Sequence, residues 1–265
     1  MSPRTTAHPY LDHDGPIPFA HRGGAAGPAG ENTLAAFRLA VQAGYRYLET
    51  DVHATSDGVL LAFHDRRLHR VTDTRGRIRA LSAAEIASAK VGDEPIPTMA
   101  ELLAAFPEAR FNIDVKEPNT MAPLADLLRR ADALDRVCVS SFSDARLSVV
   151  RDLLGPAVCT SAGPREAWRM WRASRRLKPG EQPDPDSLPA VAADCLQLPP
   201  ALGRIIVVDA RLLAAAHAAG LPVHVWTVND EAEMGRLLDL GVDGIMTDRL
   251  DTLKTVLTKR GSWAG

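Results

Sequence analysis

Four short segments carry acids, bases and cations at spacings that a β-strand converts into a common face. In "YLETDVH" Glu49 and Asp51 lie two residues apart, and in "FNIDVKE" Asp114 and Lys116 repeat that interval. Alternate residues of a strand project to one side, so each pair shares a face. "PIPFAHRGG" delivers His21 and Arg22 to the end of a short apolar run, and in "LLAFHD" the apolar run is followed by His64. Three carboxylates converging without compensation repel one another and push at least one pKa upward. A divalent cation removes that conflict, and all-oxygen ligation with no cysteine in reach favours Mg²⁺ or Ca²⁺ over zinc. His53 shares the face of Glu49 and Asp51 but stays outside this set, as do His13, His69 and His217, which have no supporting cluster.

The elements that must position these groups alternate. "LAAFRLAVQAG", "ARLLAAAHAAG" and "EAEMGRLLDLG" are amphipathic helices closed by Gly44, Gly220 and Gly241, each running into a short apolar strand with a polar end. Glycine past a helix supplies the left-handed C′ residue at little cost. Leu34, Phe37 and Val41 predict the buried stripe of the first helix, with Asn32 as its N-cap. Ser82 with Glu85 and Thr98 with Glu101 fit capping boxes. Strands are expected at about 17–21, 47–51, 111–115, 137–141, 157–161, 194–198, 222–227 and 243–247. Eight strands alternating with helices predict an α/β protein, a TIM (β/α)8 barrel, whose strand ends at the C-terminal face carry the chemistry. Only four turn residues, Thr55 to Gly58, separate strand two from the apolar run 59–63. That is too short for a parallel crossover, so 59–63 is an antiparallel arm that returns His64 toward Glu49.

The chain has 265 residues, enough for one large core, and the expected unit is a single barrel domain over 16–260, preceded by an N-terminal tail, 1–15. Residues 66–97 read as an insertion after strand two, and the proline-rich stretch 175–193 as a surface loop. A net charge of −2 offers no electrostatic case for nucleic acid or an anionic membrane surface. No apolar run has the length of a signal peptide or a membrane span. Cys138, Cys159 and Cys195 lie far apart with no C-x-x-C pair, so they are expected as core residues of a cytoplasmic protein. The glycine run after Arg22 matches no nucleotide-binding spacing, and its expected role is close approach of a phosphate or metal to the backbone. Oligomeric state has no signature here.

Taken together, "HRGG", "ENT", "ETDVHATSDG", "FHD", "RVTDTRG", "NIDVKE", "SSF", "WTVND" and "GVDGIMTDR", in that order over about 17–249, resemble the glycerophosphodiester phosphodiesterase family. The resemblance implies a TIM-barrel enzyme that hydrolyses small-molecule glycerophosphodiesters to glycerol 3-phosphate and an alcohol with a divalent cation. By position it implies His21 and His64 as the acid/base pair; the resemblance leaves open which is the base, and the assignment taken here is His21 as base and His64 as acid. It implies Glu49, Asp51 and Asp114 as metal ligands, Arg22 and Lys116 as phosphate-binding cations, and Trp226 as a wall of the glycerol side. Asp114 stands where the family usually has glutamate, one methylene longer, and Leu250 where a proline usually follows "TDR". The attacking oxygen is either water or the glycerol 2-hydroxyl, the latter giving a transient cyclic phosphate.

Two other readings compete. A related barrel phosphodiesterase acting on lysophospholipids or phosphoinositides needs an apolar ledge, which 5% aromatic content and charged loops do not suggest. The helix "PREAWRMWRASRRL" covers a partner, lines the pocket entrance, or is a solvated outer face with Trp168 and Trp171 turned inward, the last being the commonest arrangement. A non-catalytic phosphate-binding barrel would have lost a histidine or a carboxylate, and none is missing.

Overall fold

The structure, a computed structural model, describes residues 8–25, 30–178 and 180–264. Eight parallel strands carry the frame: β1 (Ile17–His21), β2 (Tyr47–Ala54), β3 (Arg110–Val115), β4 (Val137–Ser140), β5 (Cys159–Thr160), β6 (Leu196–Leu198), β7 (Val223–Val225) and β8 (Gly244–Thr247). Each is followed by one helix of seven or more residues: α1 (Leu34–Gln42), α2 (Met99–Ala105), α3 (Met121–Arg130), α4 (Asp144–Leu154), α5 (Pro164–Ser174), α6 (Ala210–Ala218), α7 (Glu231–Leu240) and α8 (Leu250–Lys259). Strands neighbour one another in chain order, with β1 hydrogen-bonded to both β2 and β8. A parallel bridge between Ser161 and Cys195 joins β5 to β6 and closes the ring. This is the TIM-barrel order expected from the alternation.

Helix ends follow local chemistry. Gly44, Gly220 and Gly241 take positive φ values of 96°, 71° and 91°, as their place beyond a helix demands. Both capping boxes form, Ser82 with Glu85 and Thr98 with Glu101. Two expectations for α1 are corrected. Thr33, not Asn32, is the N-cap, its hydroxyl accepting from the Ala36 amide at 3.0 Å. The buried stripe is Ala36, Phe37 and Ala40, while Val41 faces solvent because 3.6-residue periodicity carries it past the contact.

The arm Leu60–Ala62 pairs antiparallel with β2, Val52 opposite Ala62, as the short turn required. The segment 66–97 packs Leu68, Ile78, Ile86 and Val91 onto Leu61 and Phe63, a small core beside the barrel. Toward the N-terminal strand ends, Cys138, Cys159 and Cys195 are buried free thiols packed with Phe19, Tyr47 and Met246, the core role expected of them. The first seven residues of the expected tail lie outside the described residues. The rest is not loose: Tyr10 is fully buried, its ring 5.3 Å from Tyr47, and its carbonyl accepts from Arg110 at 3.1 Å. Among the described residues no helix is long and apolar enough to cross a membrane.

Candidate active site

Strand register brings the polar residues together. In the β1–β2 pair His21 lies opposite Glu49, and in the β2–β3 pair Asp51 lies opposite Asp114. Glu49, Asp51 and Asp114 are all buried. The Lys116 Nζ sits between two of them, 2.7 Å from Asp51 Oδ1 and 2.6 Å from Asp114 Oδ2. The Arg22 amide donates to Glu49 Oε2 at 3.1 Å. Its guanidinium lies 3.2 Å from Asp51 Oδ2 and 3.3 Å from Glu31 Oε1.

Arg22 holds this place with φ of 51°, a left-handed conformation uncommon outside glycine. A hydrogen bond from the Asn32 amide to the Arg22 carbonyl, 2.9 Å, fixes the loop. The glycines that follow have a different role from the one expected. A Cβ on Gly23 would meet Ala36 at 2.9 Å, and one on Gly24 would meet Leu250 at 2.7 Å. They allow the loop to pack against α1 and α8 rather than freeing backbone for a ligand. Gly27 lies outside the described residues.

Both candidate histidines are members of carboxylate pairs. His21 Nδ1 is 2.6 Å from Asp248 Oδ1, and its Nε2 is 3.7 Å from Glu49 Oε2. Asp248 is held in turn by the Asn229 side chain, which donates to its Oδ2 at 2.8 Å and accepts from its amide at 2.8 Å. His64, delivered by the arm, has Nδ1 2.7 Å from Asp65 Oδ1. Asp65 also pairs with Arg70, which reaches on to Glu31. In both histidines the occupied Nδ1 leaves Nε2 free of that carboxylate, the arrangement that fixes a tautomer. Asp248, Asp65 and Asn229 were not singled out from sequence, although "FHD", "WTVND" and "TDR" contain them. His53 is fully buried, its Nε2 3.1 Å from the His64 carbonyl, so it braces the backbone outside the site.

The charges are poorly balanced as they stand. Burial, then the Asp51 charge, pushes the Glu49 carboxyl up to about 7. Burial also raises Asp114, and Lys116 only partly offsets it. For Asp51 burial works in the same upward direction, but Lys116 and Arg22 outweigh it and its pKa falls. Burial opposes a charge on His21, yet Glu49 and Asp248 overcome it and raise the pKa. Asp114 Oδ1 is buried with no hydrogen-bond partner. Raised carboxyls and an orphaned carboxylate oxygen in an all-oxygen donor set fit a hard divalent cation. The three carboxylates do not offer ligand atoms within 4.8 Å of one another; among the described residues only the buried thiols do. The short Asp114 side chain is drawn instead to Lys116.

These groups floor a cavity of about 660 Å³. Its other wall is apolar: Phe142, Trp168, Trp171, Leu202, Ile205 and Trp226 line it. Trp226 lines the cavity and stands edge-on to Phe142, ring centroids 5.4 Å apart. Of the two tryptophans of α5, only Trp171 turns toward the core. Trp168 is 54% exposed and faces the cavity, whereas Trp171 is half-buried and packs against the barrel core while also lining the cavity; the buried face of α5 holds Glu166, Met170 and Ser174. Beyond His64 a second groove, of about 710 Å³, is lined by Arg66, Arg67, Arg77 and Arg79.

Comparison with known proteins yields a match of residues 21–252 to the glycerophosphoryl diester phosphodiesterase family. The chain is 39% identical to "Probable glycerophosphodiester phosphodiesterase 2" of Mycobacterium tuberculosis, covering 97% of this chain and 96% of the relative. It is 27% identical to "Lysophospholipase D GDPD1" of Homo sapiens, over 90% and 85% of the two chains. An Oleispira antarctica phosphodiesterase, solved in complex with the product sn-glycerol-3-phosphate, superposes with a TM-score of 0.75 at 26% identity, over 92% and 97% of the two chains.

Proposed function

The chain belongs to the glycerophosphoryl diester phosphodiesterase family, and from that premise we propose that its site hydrolyses glycerophosphodiesters to glycerol 3-phosphate and an alcohol. The observation that carries this reading is the pair of histidine–carboxylate couples, His21–Asp248 and His64–Asp65, beside buried Glu49, Asp51 and Asp114. Arg22 and Lys116 bind the non-bridging phosphate oxygens, where charge grows toward the transition state. His21 takes the proton from the attacking oxygen while Asp248 holds the ring and stabilises the imidazolium that forms. His64, oriented by Asp65, gives a proton to the departing alcohol oxygen as its bond to phosphorus breaks. Each proton transfer is worth ~10²–10⁴-fold. Glu49, Asp51 and Asp114 would hold a divalent cation, Mg²⁺ or Ca²⁺, which supplies charge stabilisation to the phosphoryl group when bound. Trp226 walls the glycerol side.

The attacking oxygen is water or the glycerol 2-hydroxyl, and a 2-deoxy analogue separates them. Undiminished turnover of the analogue rejects the internal route. The function itself is tested by release of glycerol 3-phosphate from glycerophosphocholine, with His21→Ala and His64→Ala measured alongside. Turnover within a few-fold of the parent in either variant, with the fold intact by circular dichroism, would remove that histidine from the chemistry.

A second reading has its own observation. The ledge of Phe142, Trp168, Leu202 and Ile205 extends the cavity well past the space a glycerol phosphate fills, and it suits a single acyl chain. A lysophospholipid is a glycerophosphodiester with such a chain, so the same chemistry serves both. The three reduced, buried cysteines agree with a reducing compartment, which we take to be cytoplasmic.

A further inference from the structure

The rim of the cavity has more exposed apolar surface than a small dissolved substrate needs. Leu202, Ile205 and Ile206 are 63%, 56% and 59% exposed on the hairpin Ala201–Leu202/Ile205–Ile206, whose turn carries Arg204. Phe142 and Trp168 add two exposed aromatics beside it. Ile206 does not line the cavity, so substrate binding alone does not explain it.

The exposed charge of α5 on this rim is basic, with one carboxylate at its start, Asp144, which accepts from the Arg165 amide at 3.0 Å. Arg165, Arg169 and Arg172 fall at i, i+4 and i+7 on α5, a single exposed stripe next to the tryptophans, with Arg172 stacked on Trp168 at 5.2 Å. The acidic residue of α5, Glu166, is buried and paired with Arg151 at 3.1 Å. Among the described residues Arg165, Arg169 and Arg204 enter no ion pair with a carboxylate. On the other side of the mouth the groove beyond His64 has four arginines against two acids, Asp65 and Glu117, an excess of positive charge. A helix with arginines beside tryptophans, next to an exposed apolar tip, has the composition of an element lying in a bilayer interface. The net charge of −2, which made no case for an anionic surface, averages this patch away.

We propose that this rim, hairpin 201–206 with the outer face of α5, docks on an anionic lipid surface and presents the cavity mouth to it. Apolar tips of the hairpin and Trp168 enter the headgroup region, and the arginines meet lipid phosphates. No segment crosses the bilayer.

The test is co-sedimentation of the full chain with vesicles of phosphatidylcholine alone or with phosphatidylglycerol, beside Arg165→Glu/Arg169→Glu and Ile206→Ser variants. Binding to the anionic vesicles is expected, falling with salt. The charge reversal should weaken it roughly tenfold or more, and Ile206→Ser several-fold, while turnover of dissolved glycerophosphocholine is unchanged in both. Absence of binding at low salt overturns the proposal, as does binding that neither variant alters. A dimer in solution that Ile206→Ser dissociates also overturns it, since a second copy then covers the patch. Sedimentation is read without turnover, so failure here and failure of the catalytic reading are distinct.

Discussion

Replacing Asp248 with asparagine tests the catalytic reading at a residue that touches no substrate atom. Its carboxylate accepts on both sides, from His21 Nδ1 at 2.6 Å and from Asn229 Nδ2 at 2.8 Å. An amide has one acceptor oxygen and one donor nitrogen. Either the amide nitrogen faces Asn229 and two donors collide, or it faces His21 and drives the ring to the tautomer with its proton on Nε2, useless as a base there. A charge-assisted hydrogen bond of about 1.5–3 kcal/mol is lost, equivalent to roughly 10- to 150-fold in rate. The loss belongs to the transition state, where the imidazolium forms, so kcat should fall while KM for glycerophosphocholine holds within about a factor of three. His21→Ala should cost more than Asp248→Asn, and the double variant little beyond His21→Ala alone, because one residue acts through the other. A kcat within twofold of the parent, or losses in the double variant that multiply, would refute the pairing.

Lys116→Met removes the cation between Asp51 and Asp114, and kcat/KM should drop at least about tenfold, the value of one oxyanion-type contact or more; an unchanged kcat/KM removes Lys116 from the phosphate site. Exhaustive chelation should abolish glycerol 3-phosphate release, with Mg²⁺ or Ca²⁺ restoring it; full activity in chelator refutes the carboxylate assignment. Trp168→Ala should lower kcat/KM for lysophosphatidylcholine more steeply than for glycerophosphocholine, and equal losses would remove the acyl-chain role of the ledge. His217 pairs with Asp243 at 2.7 Å, and that bond raises its pKa. The pair therefore stabilises the fold below the unfolded histidine value and loses that contribution as pH rises through the folded one. Both side chains are well exposed, so the amount is under about 1 kcal/mol. Urea midpoints of His217→Gln and the parent should differ at pH 5.5 and converge at pH 9; a constant gap would place the effect elsewhere.

Much of the frame was legible because it is written in local periodicity. The glycine-closed helices and the polar strand ends specify a repeating unit, and eight such units leave a closed barrel as the consistent solution. The site's inner groups were legible for the same reason: two-residue spacing fixes a face, and the four-residue turn fixes where His64 returns. Asp248 and Asn229 were harder. Asp248 sits on a loop 227 residues from His21 and Asn229 lies 19 residues before Asp248, and only closure of β8 onto β1 makes them its neighbours. The N-cap error at Asn32 is local in origin. Asparagine and threonine both cap, but Asn32 is held at φ of 56° by the Arg22 carbonyl and by its own side chain, which accepts from Thr50 at 2.8 Å. Its oxygen is engaged elsewhere, and the next residue caps instead.

The ledge escaped composition for a reason that concerns averages. Aromatic residues are 5% of the chain, yet three of its four tryptophans and Phe142 wall one cavity. The orientation of α5 was open as well: Trp171 packs against the core, but Trp168, three residues before it, does not, and the buried face holds Glu166, Met170 and Ser174. A buried glutamate on a packing face is the unexpected feature. Glu166 is there because its carboxylate closes the helix start at the Gly163 amide, 3.0 Å, accepts from the Ala192 amide at 3.0 Å and pairs with Arg151. These polar anchors rotate the helix so that its tryptophans meet the cavity. Breaking them with Glu166→Ala should therefore do two things a simple packing loss would not. It should lower stability by about 1–3 kcal/mol, the cost of leaving the Gly163 and Ala192 amides without their acceptor, since half-buried Arg151 keeps Thr160 and the Ser161 carbonyl. It should also blunt discrimination between lysophosphatidylcholine and glycerophosphocholine, as Trp168 and Trp171 lose their orientation. A destabilised variant that keeps the parent's substrate ratio would show that the tryptophans are positioned by something other than this anchor.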